Sequence, residues 1–255
     1  MIQLRDLSKN YGRFTAVDRL TLEVPKGELF GFLGPNGAGK TTTLRMIAGI
    51  LQPTGGSVTI GGEDIHRDPE AAKAKLGFVP DRPYVYEKLT GAEFLRFLAG
   101  LYQLERSEVE SRIGSLMELF ELEEWKDQLI ENYSHGMKQR LVMASAILHR
   151  PQVLVVDEPM VGLDPRGARL VKENFRREAG ERWVSIFMST HTLEMAQEMC
   201  DRIAILQKGR VIAEGTPEDL RRLAGGADTN LEAVFLRLTG GEDVQEILKA
   251  LRDSG

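Results

Sequence analysis

Apolar positions recur along this chain with two different periods. Residues 2–7, 19–24, 28–33 and 57–60 read as short strands, with turn signals at Tyr11-Gly12 and Gly55-Gly56. From 90 to about 122 the spacing lengthens to that of helices, with Phe94, Leu95, Leu98 and Leu101 on one stripe and Ile113, Leu116, Met117 and Phe120 on the next. Such stripes of Leu, Met and Phe belong to a core. Further on, Val153-Leu154-Val155-Val156 and Ser185-Ile186-Phe187-Met188 are unbroken apolar runs separated by a helix predicted over about 167–179. Continuous rather than alternating apolar strands mark a parallel sheet covered on both faces, so the predicted core is α/β. Beyond Gly215 the chain turns polar. A helix is expected over 217–223, a break at Gly225-Gly226, and two short amphipathic pieces at about 231–238 and 244–251, which read as an appendage.

Composition narrows the class. A chain of 255 residues with 42% hydrophobic content can bury a full core in one or two lobes without staples. Cys200 is the single cysteine, which excludes an internal disulfide framework and suits a reducing compartment. The 38 acidic and 33 basic residues give a net charge of −5, so no global attraction to nucleic acid is expected. Neither a signal-peptide h-region nor an apolar run of membrane-spanning length is present, so a membrane role is expected to come through a partner.

Two stretches carry chemistry. Gly34-Pro35-Asn36-Gly37-Ala38-Gly39-Lys40-Thr41 fills the phosphate-binding pattern G-x-x-x-x-G-K-[ST], between a predicted strand and a helix predicted over 42–51. Its glycines let successive backbone N–H groups curl round a polyphosphate, the helix N-terminus adds positive potential, and Lys40 supplies a charge. Thr41 suits Mg²⁺. The second stretch, Val153 to Pro159, ends a buried strand in the adjacent carboxylates Asp157 and Glu158. Asp-Glu-Pro is also a plausible helix start, but beside a phosphate loop the pair is better read as a metal ligand, Asp157, and a group that orients or deprotonates water, Glu158.

Together these stretches resemble the Walker A and Walker B motifs of ABC-type ATPases, and three further landmarks fall in that family's order. Tyr133-Ser134-His135-Gly136-Met137-Lys138-Gln139-Arg140 is similar to the ABC signature, Gly162-Leu163-Asp164-Pro165 to the D-loop, and Ser189-Thr190-His191 to the switch-histidine segment. Tyr11 is similar to the aromatic that stacks on adenine. The resemblance spans about 2–215. It implies a P-loop NTPase with a RecA-like parallel core, an antiparallel β subdomain and an inserted helical subdomain at about 82–145, an ATPase domain over 1–215 and a helical tail over 216–255. It also implies that ATP is held by Tyr11, Gly34, Pro35, Asn36, Gly37, Ala38, Gly39, Lys40, Thr41 and Thr42 of one copy and by Ser134 and Gly136 of a second. Mg²⁺ falls to Thr41, Asp157 and Asp81, and catalysis to Glu158, His191 and Lys40. The implied function is an ATPase that energises a membrane transporter by ATP-driven dimer closure, at the cytoplasmic face of the cell membrane.

The departures are informative. Asp81 follows Gly77-Phe78-Val79-Pro80 where the family usually has glutamine, and it either adds an oxygen to Mg²⁺ or starts a turn. Tyr133, His135 and Met137 replace the family's commonest leucine, glycine and glutamine. The run Tyr-Ser-His-Gly-Met-Lys-Gln, with Asn230 to Gly240, is similar to stand-alone subunits paired with ABC-2-type permeases, most of which export. In such proteins the segment 82–89 receives the permease, making Tyr84 and Tyr86 interface candidates; ordinary packing is the other reading of both. The competing function is a soluble ABC ATPase acting as a dimer switch.

Overall fold

The computed structural model describes residues 1–223 and Phe235, and its strands divide into two sheets. Four strands, β1 (Ile2–Tyr11), β2 (Phe14–Val24), β4 (Gly55–Ile60) and β5 (Glu63–Asp64), form an antiparallel sheet in the order β2-β1-β4-β5. The other six are β3 (Leu29–Leu33), β6 (Leu76–Val79), β7 (Val153–Asp157), β8 (Ser185–Thr190), β9 (Arg202–Gln207) and β10 (Arg210–Gly215), in the order β10-β9-β3-β8-β7-β6. The five from β9 to β6 are parallel, and β10 closes one edge as the antiparallel arm of a hairpin.

Strands β3, β7 and β8 are buried at every position, which is why their middle residues read as apolar runs. Alternate side chains still serve different layers. Phe30, Phe32, Val153, Val155 and Phe187 face a core shared with the antiparallel sheet and α1 (Lys40–Ile47). Leu29, Leu33, Leu154, Val156, Ile186 and Met188 face a second core. That second core contains residues of α3 (Gly91–Leu101), α4 (Arg106–Leu119), α5 (His135–Ile147), α6 (Pro165–Arg182) and α7 (Leu193–Met199). The short helix α2 (Pro69–Ala74) is capped by Asp68, and α8 (Pro217–Leu223) follows β10.

The P-loop NTPase fold class expected from the resemblance is the fold observed. Boundaries differ where local chemistry overrides periodicity. The first helix starts at Lys40, not 42, and ends at Ile47; the helix expected over 167–179 runs from Pro165 to Arg182, because Asp164 accepts a bond from Gly167 N at 2.8 Å and Pro165 suits a first helical turn. Both antiparallel strands near the N-terminus extend past their expected ends into a hairpin closed at Tyr11 and Phe14. The amphipathic pieces at 231–238 and 244–251 lie outside the described residues except for Phe235, which packs against the second core.

Candidate functional site

Four segments meet at the carboxyl edge of the parallel sheet, where ligands bind in open α/β folds. They follow β3, β6, β7 and β8, which lie in the order β3-β8-β7-β6. After β3, the phosphate loop passes exposed Pro35, Asn36 and Gly37 to buried Ala38. Gly39 then adopts φ 108, and a Cβ there would stand 2.5 Å from the Ala16 carbonyl oxygen, so this turn takes only glycine. The loop is tied down by Ala38 N to Pro35 O (3.2 Å), Gly209 N to Ala38 O (2.9 Å) and Thr43 Oγ1 to Gly39 O (2.9 Å).

Lys40 is buried at the start of α1, where its Nζ donates to Gly34 O at 2.6 Å and Pro35 O at 3.3 Å. Glu158 Oε1 lies 3.8 Å from the same nitrogen. Burial holds the Lys40 ammonium below the usual lysine value, while Glu158 and Asp157 draw it back up.

The adjacent carboxylates diverge. Asp157, the last residue of β7, is buried and accepts from Ser189 Oγ at 2.5 Å and from the Thr41 side chain. Burial pushes its pKa up against those two bonds, and the negative charges of Asp81 and Glu158 push the same way. Glu158 takes a left-handed backbone, φ 50, which costs about 1 kcal/mol and turns its side chain away from that of Asp157. Its Oε2 lies 2.8 Å from His191 Nδ1 and 3.4 Å from His191 N, and its own N–H donates to Ser189 Oγ at 3.2 Å.

Lys40, Thr41, Asp81, Asp157, Glu158 and His191 thus lie near one another at this edge. Ser189 was not singled out for any role. It stands directly opposite Asp157 in the β7–β8 register and bonds to both acids of the pair. The donor set suits Mg²⁺: a hydroxyl and a buried carboxylate face each other, and ionisation of that carboxylate is disfavoured without a cation.

The profile of the family described as ABC transporter matches residues 17–161. The linearmycin resistance ATP-binding protein LnrL of Bacillus subtilis (strain 168) is 38% identical over 226 residues, covering 89% of this chain and 72% of that protein. The Nod factor export ATP-binding protein I of Paraburkholderia xenovorans (strain LB400) is 38% identical over 227 residues, covering 89% and 74%. The chain belongs to the ABC transporter family. It is an ATP-binding, ATP-hydrolysing subunit that energises a membrane transporter. A solved ATP-binding subunit of an ABC transporter superposes with a TM-score of 0.88 at 34% identity, covering 94% of this chain and 99% of that one. The dimeric structure of MJ0796, a bacterial ABC transporter cassette, gives 0.78 at 25% identity, covering 85% and 98%.

In this ABC ATPase the two signature residues are held by their own segment. Ser134 caps α5, its Oγ accepting from Met137 N at 3.2 Å, and among the described residues no hydrogen bond or ion pair joins Ser134 or Gly136 to residues 34–42. Gly136 faces the D-loop at Gly162 and Leu163, and the His135 ring lies over Gly162. Tyr11 is 51% exposed at the β1–β2 hairpin tip with Lys9 Nζ 5.3 Å from its ring centroid, and that hairpin rests on the loop through Ala16. Thr42 is half-buried on the first turn of α1. On another face, a groove of about 620 Å³ is lined by Ile50, Phe78, Tyr84, Tyr86, Leu98 and Tyr102. Tyr84 is 71% and Tyr86 58% exposed, and Tyr86 also meets Phe97 edge-on at 5.5 Å. Among the described residues no helix is long and apolar enough to cross a membrane.

Proposed function

We propose that two copies of this chain close head to tail over two ATP molecules and that Glu158 is the base that cleaves them. The observation that carries this reading is the convergence of Lys40 Nζ and His191 Nδ1 on the two oxygens of the Glu158 carboxylate, at 3.8 and 2.8 Å. Glu158 takes a proton from the attacking water as its oxygen bonds to the γ-phosphorus and the bridging oxygen leaves with ADP. His191 fixes the carboxylate's direction, and Lys40 exchanges its carbonyl partners for phosphate oxygens. Mg²⁺ held by Thr41 and Asp157, with Asp81 nearby, supplies charge neutralisation at the phosphates. Tyr11 stacks on the base, and backbone groups of Gly34, Pro35, Asn36, Gly37, Ala38 and Gly39 cradle the phosphates with Thr42 behind them.

The position of Ser134 and Gly136 at the start of α5 supports their use in trans, where that N-terminus meets the partner's γ-phosphate. Because that contact exists only with ATP in place, the γ-phosphate favours the closed pair and its loss reopens it. The dimeric cassette among the similar structures supports the assembly. The exposed aromatic groove suits an integral-membrane permease, which would hold the subunit peripherally on the cytoplasmic face. An ABC-2-type permease and outward transport are the finer reading, supported by relatives named for linearmycin resistance and Nod factor export. The proposed division is an ATPase domain over 1–215 that includes the helical unit at about 82–145, followed by a helical tail over 216–255.

Glu158→Gln tests the catalytic reading. With ATP and Mg²⁺, turnover should fall by about a hundredfold or more while light scattering shows a persistent dimer. Parental turnover would remove Glu158 from this role. Purification of the parental chain from membranes with a multispanning partner tests the rest.

A further inference from the structure

The signature segment is anchored to the rim of the aromatic groove by a bracket built round a residue that departs from the family pattern. Tyr133, immediately before Ser134, is buried, and its hydroxyl donates to the Trp125 carbonyl at 2.6 Å. Its ring meets Trp125 edge-on, with centroids 6.1 Å apart. Burial, helped by Asp127, pushes its pKa up to about 12, so the hydroxyl remains a donor at working pH. Room for that hydroxyl is made at Gly91, the first residue of α3: a Cβ there would overlap Tyr133 Oη and stand 2.9 Å from Met117 Cε.

Around this contact the chain segments 87–92 and 126–133 are laced together. Ala92 N donates to Lys126 O and Ile130 N to Leu89 O, both at 2.9 Å, and Glu131 N donates to Glu87 O at 3.1 Å. Thr90 and Leu129 form a bridge. The ion pairs Lys88–Glu131 at 2.6 Å and Lys138–Glu87 at 2.5 Å span the same seam, the second reaching the first turn of α5. Exposed ion pairs are worth little singly, so the backbone bonds and the buried tyrosine set the geometry.

We propose that Tyr133 is a positioning residue for ATP-driven closure, holding Ser134 and the N-terminus of α5 at the angle needed to meet the partner's nucleotide. This rests on the reading that Ser134 contacts ATP in trans. A leucine would fill the volume without the directional bond to Trp125. Without that bond the α5 N-terminus is free to rotate about the seam, and ordering it again on closure opposes ATP. Turnover within the closed pair is untouched, since Tyr133 reaches neither phosphate nor water.

The test uses the full chain carrying Glu158→Gln, with ATP and Mg²⁺ titrated against dimer formation by light scattering. Tyr133→Phe should raise the ATP concentration for half-maximal closure by about fivefold, the worth of roughly one net hydrogen bond. With Glu158 intact, kcat at saturating ATP should stay at the parental value while KM rises by the same factor. Gly91→Ala should weaken closure with Tyr133 present but cost much less beside Tyr133→Phe, where the hydroxyl no longer meets the added methyl. A purely structural role predicts a lower Tm with unchanged ATP demand, and that result, or strictly additive effects of the two substitutions, overturns the proposal. Ser134→Ala separates the two levels. If it closes at parental ATP, the trans-contact reading fails and this proposal with it; if it is impaired while Tyr133→Phe and Gly91→Ala are not, only the positioning role fails.

Discussion

Acid should destabilise this protein through His149, and the size of the effect follows from its surroundings. The residue lies in the turn after α5, where its ring stacks on Tyr102 at the end of α3 with centroids 3.8 Å apart and planes 3° from parallel. Its Nε2 sits 3.1 Å from the Leu76 carbonyl oxygen at the start of β6 and donates to it in the neutral ring, while Nδ1 is buried without a partner among the described residues. Protonation would therefore place a second N–H where nothing accepts it. Burial, with Arg112 adding repulsion, holds the imidazole down to about 4 against the Leu76 bond. An unfolded chain titrates at about 6.5, so between those values the unfolded state binds the extra proton and stability falls as pH falls. From about pH 8 to about pH 5 the loss is about 2 kcal/mol. His149→Phe keeps a flat ring on Tyr102 but forfeits the Leu76 bond, about 1 kcal/mol at neutral pH. Urea denaturation should find the variant less stable at about pH 8 and more stable than the parent at about pH 5. Parallel pH profiles would refute the argument, because every other titrating group is common to both proteins.

Three further outcomes follow from the site. Gly39→Ala should abolish nucleotide binding in equilibrium dialysis, since both its φ of 108 and the Ala16 carbonyl exclude a side chain; retained affinity would mean that the loop adopts another turn. Ser189→Ala deletes a bond to a buried carboxylate, worth about 2 kcal/mol, and should raise the Mg²⁺ concentration for half-maximal ATP hydrolysis as Asp157 becomes harder to ionise. An unchanged Mg²⁺ requirement would confine Ser189 to packing. Asp81→Asn removes a charge that raises the Asp157 pKa, so the Mg²⁺ dependence should shift; identical dependence would leave Asp81 only its place in the bend after β6.

Strands β3, β7 and β8 of the central sheet were legible because complete burial leaves an apolar run, as in 153–156 and 186–188, whereas β9 and the hairpin arm β10 were not among the expected strands. Both phosphate-binding and acidic motifs were legible because their chemistry fixes residue type and spacing at once. What local pattern did not show was longer in range. Ser189 serves Asp157 through strand register across 32 residues, and nothing in Ser-Thr-His points to an acid in another strand. Tyr133 reads as an altered signature until Gly91, 42 residues earlier, is found beneath its hydroxyl. Asp164 and Pro165 are a helix start and a D-loop resemblance in the same letters, so the second meaning hid the first.

The main-chain contacts of Lys40 bear on inhibitor chemistry. Its ammonium is already solvated by two main-chain oxygens, so an incoming molecule must offer something better than an amide dipole to displace them. Phosphate anions do, whereas an uncharged isostere breaks both contacts and returns no compensating charge. Screening collections rich in neutral adenine mimics should therefore yield compounds held at the hairpin aromatic alone, with weak potency and affinities insensitive to substitution of this lysine.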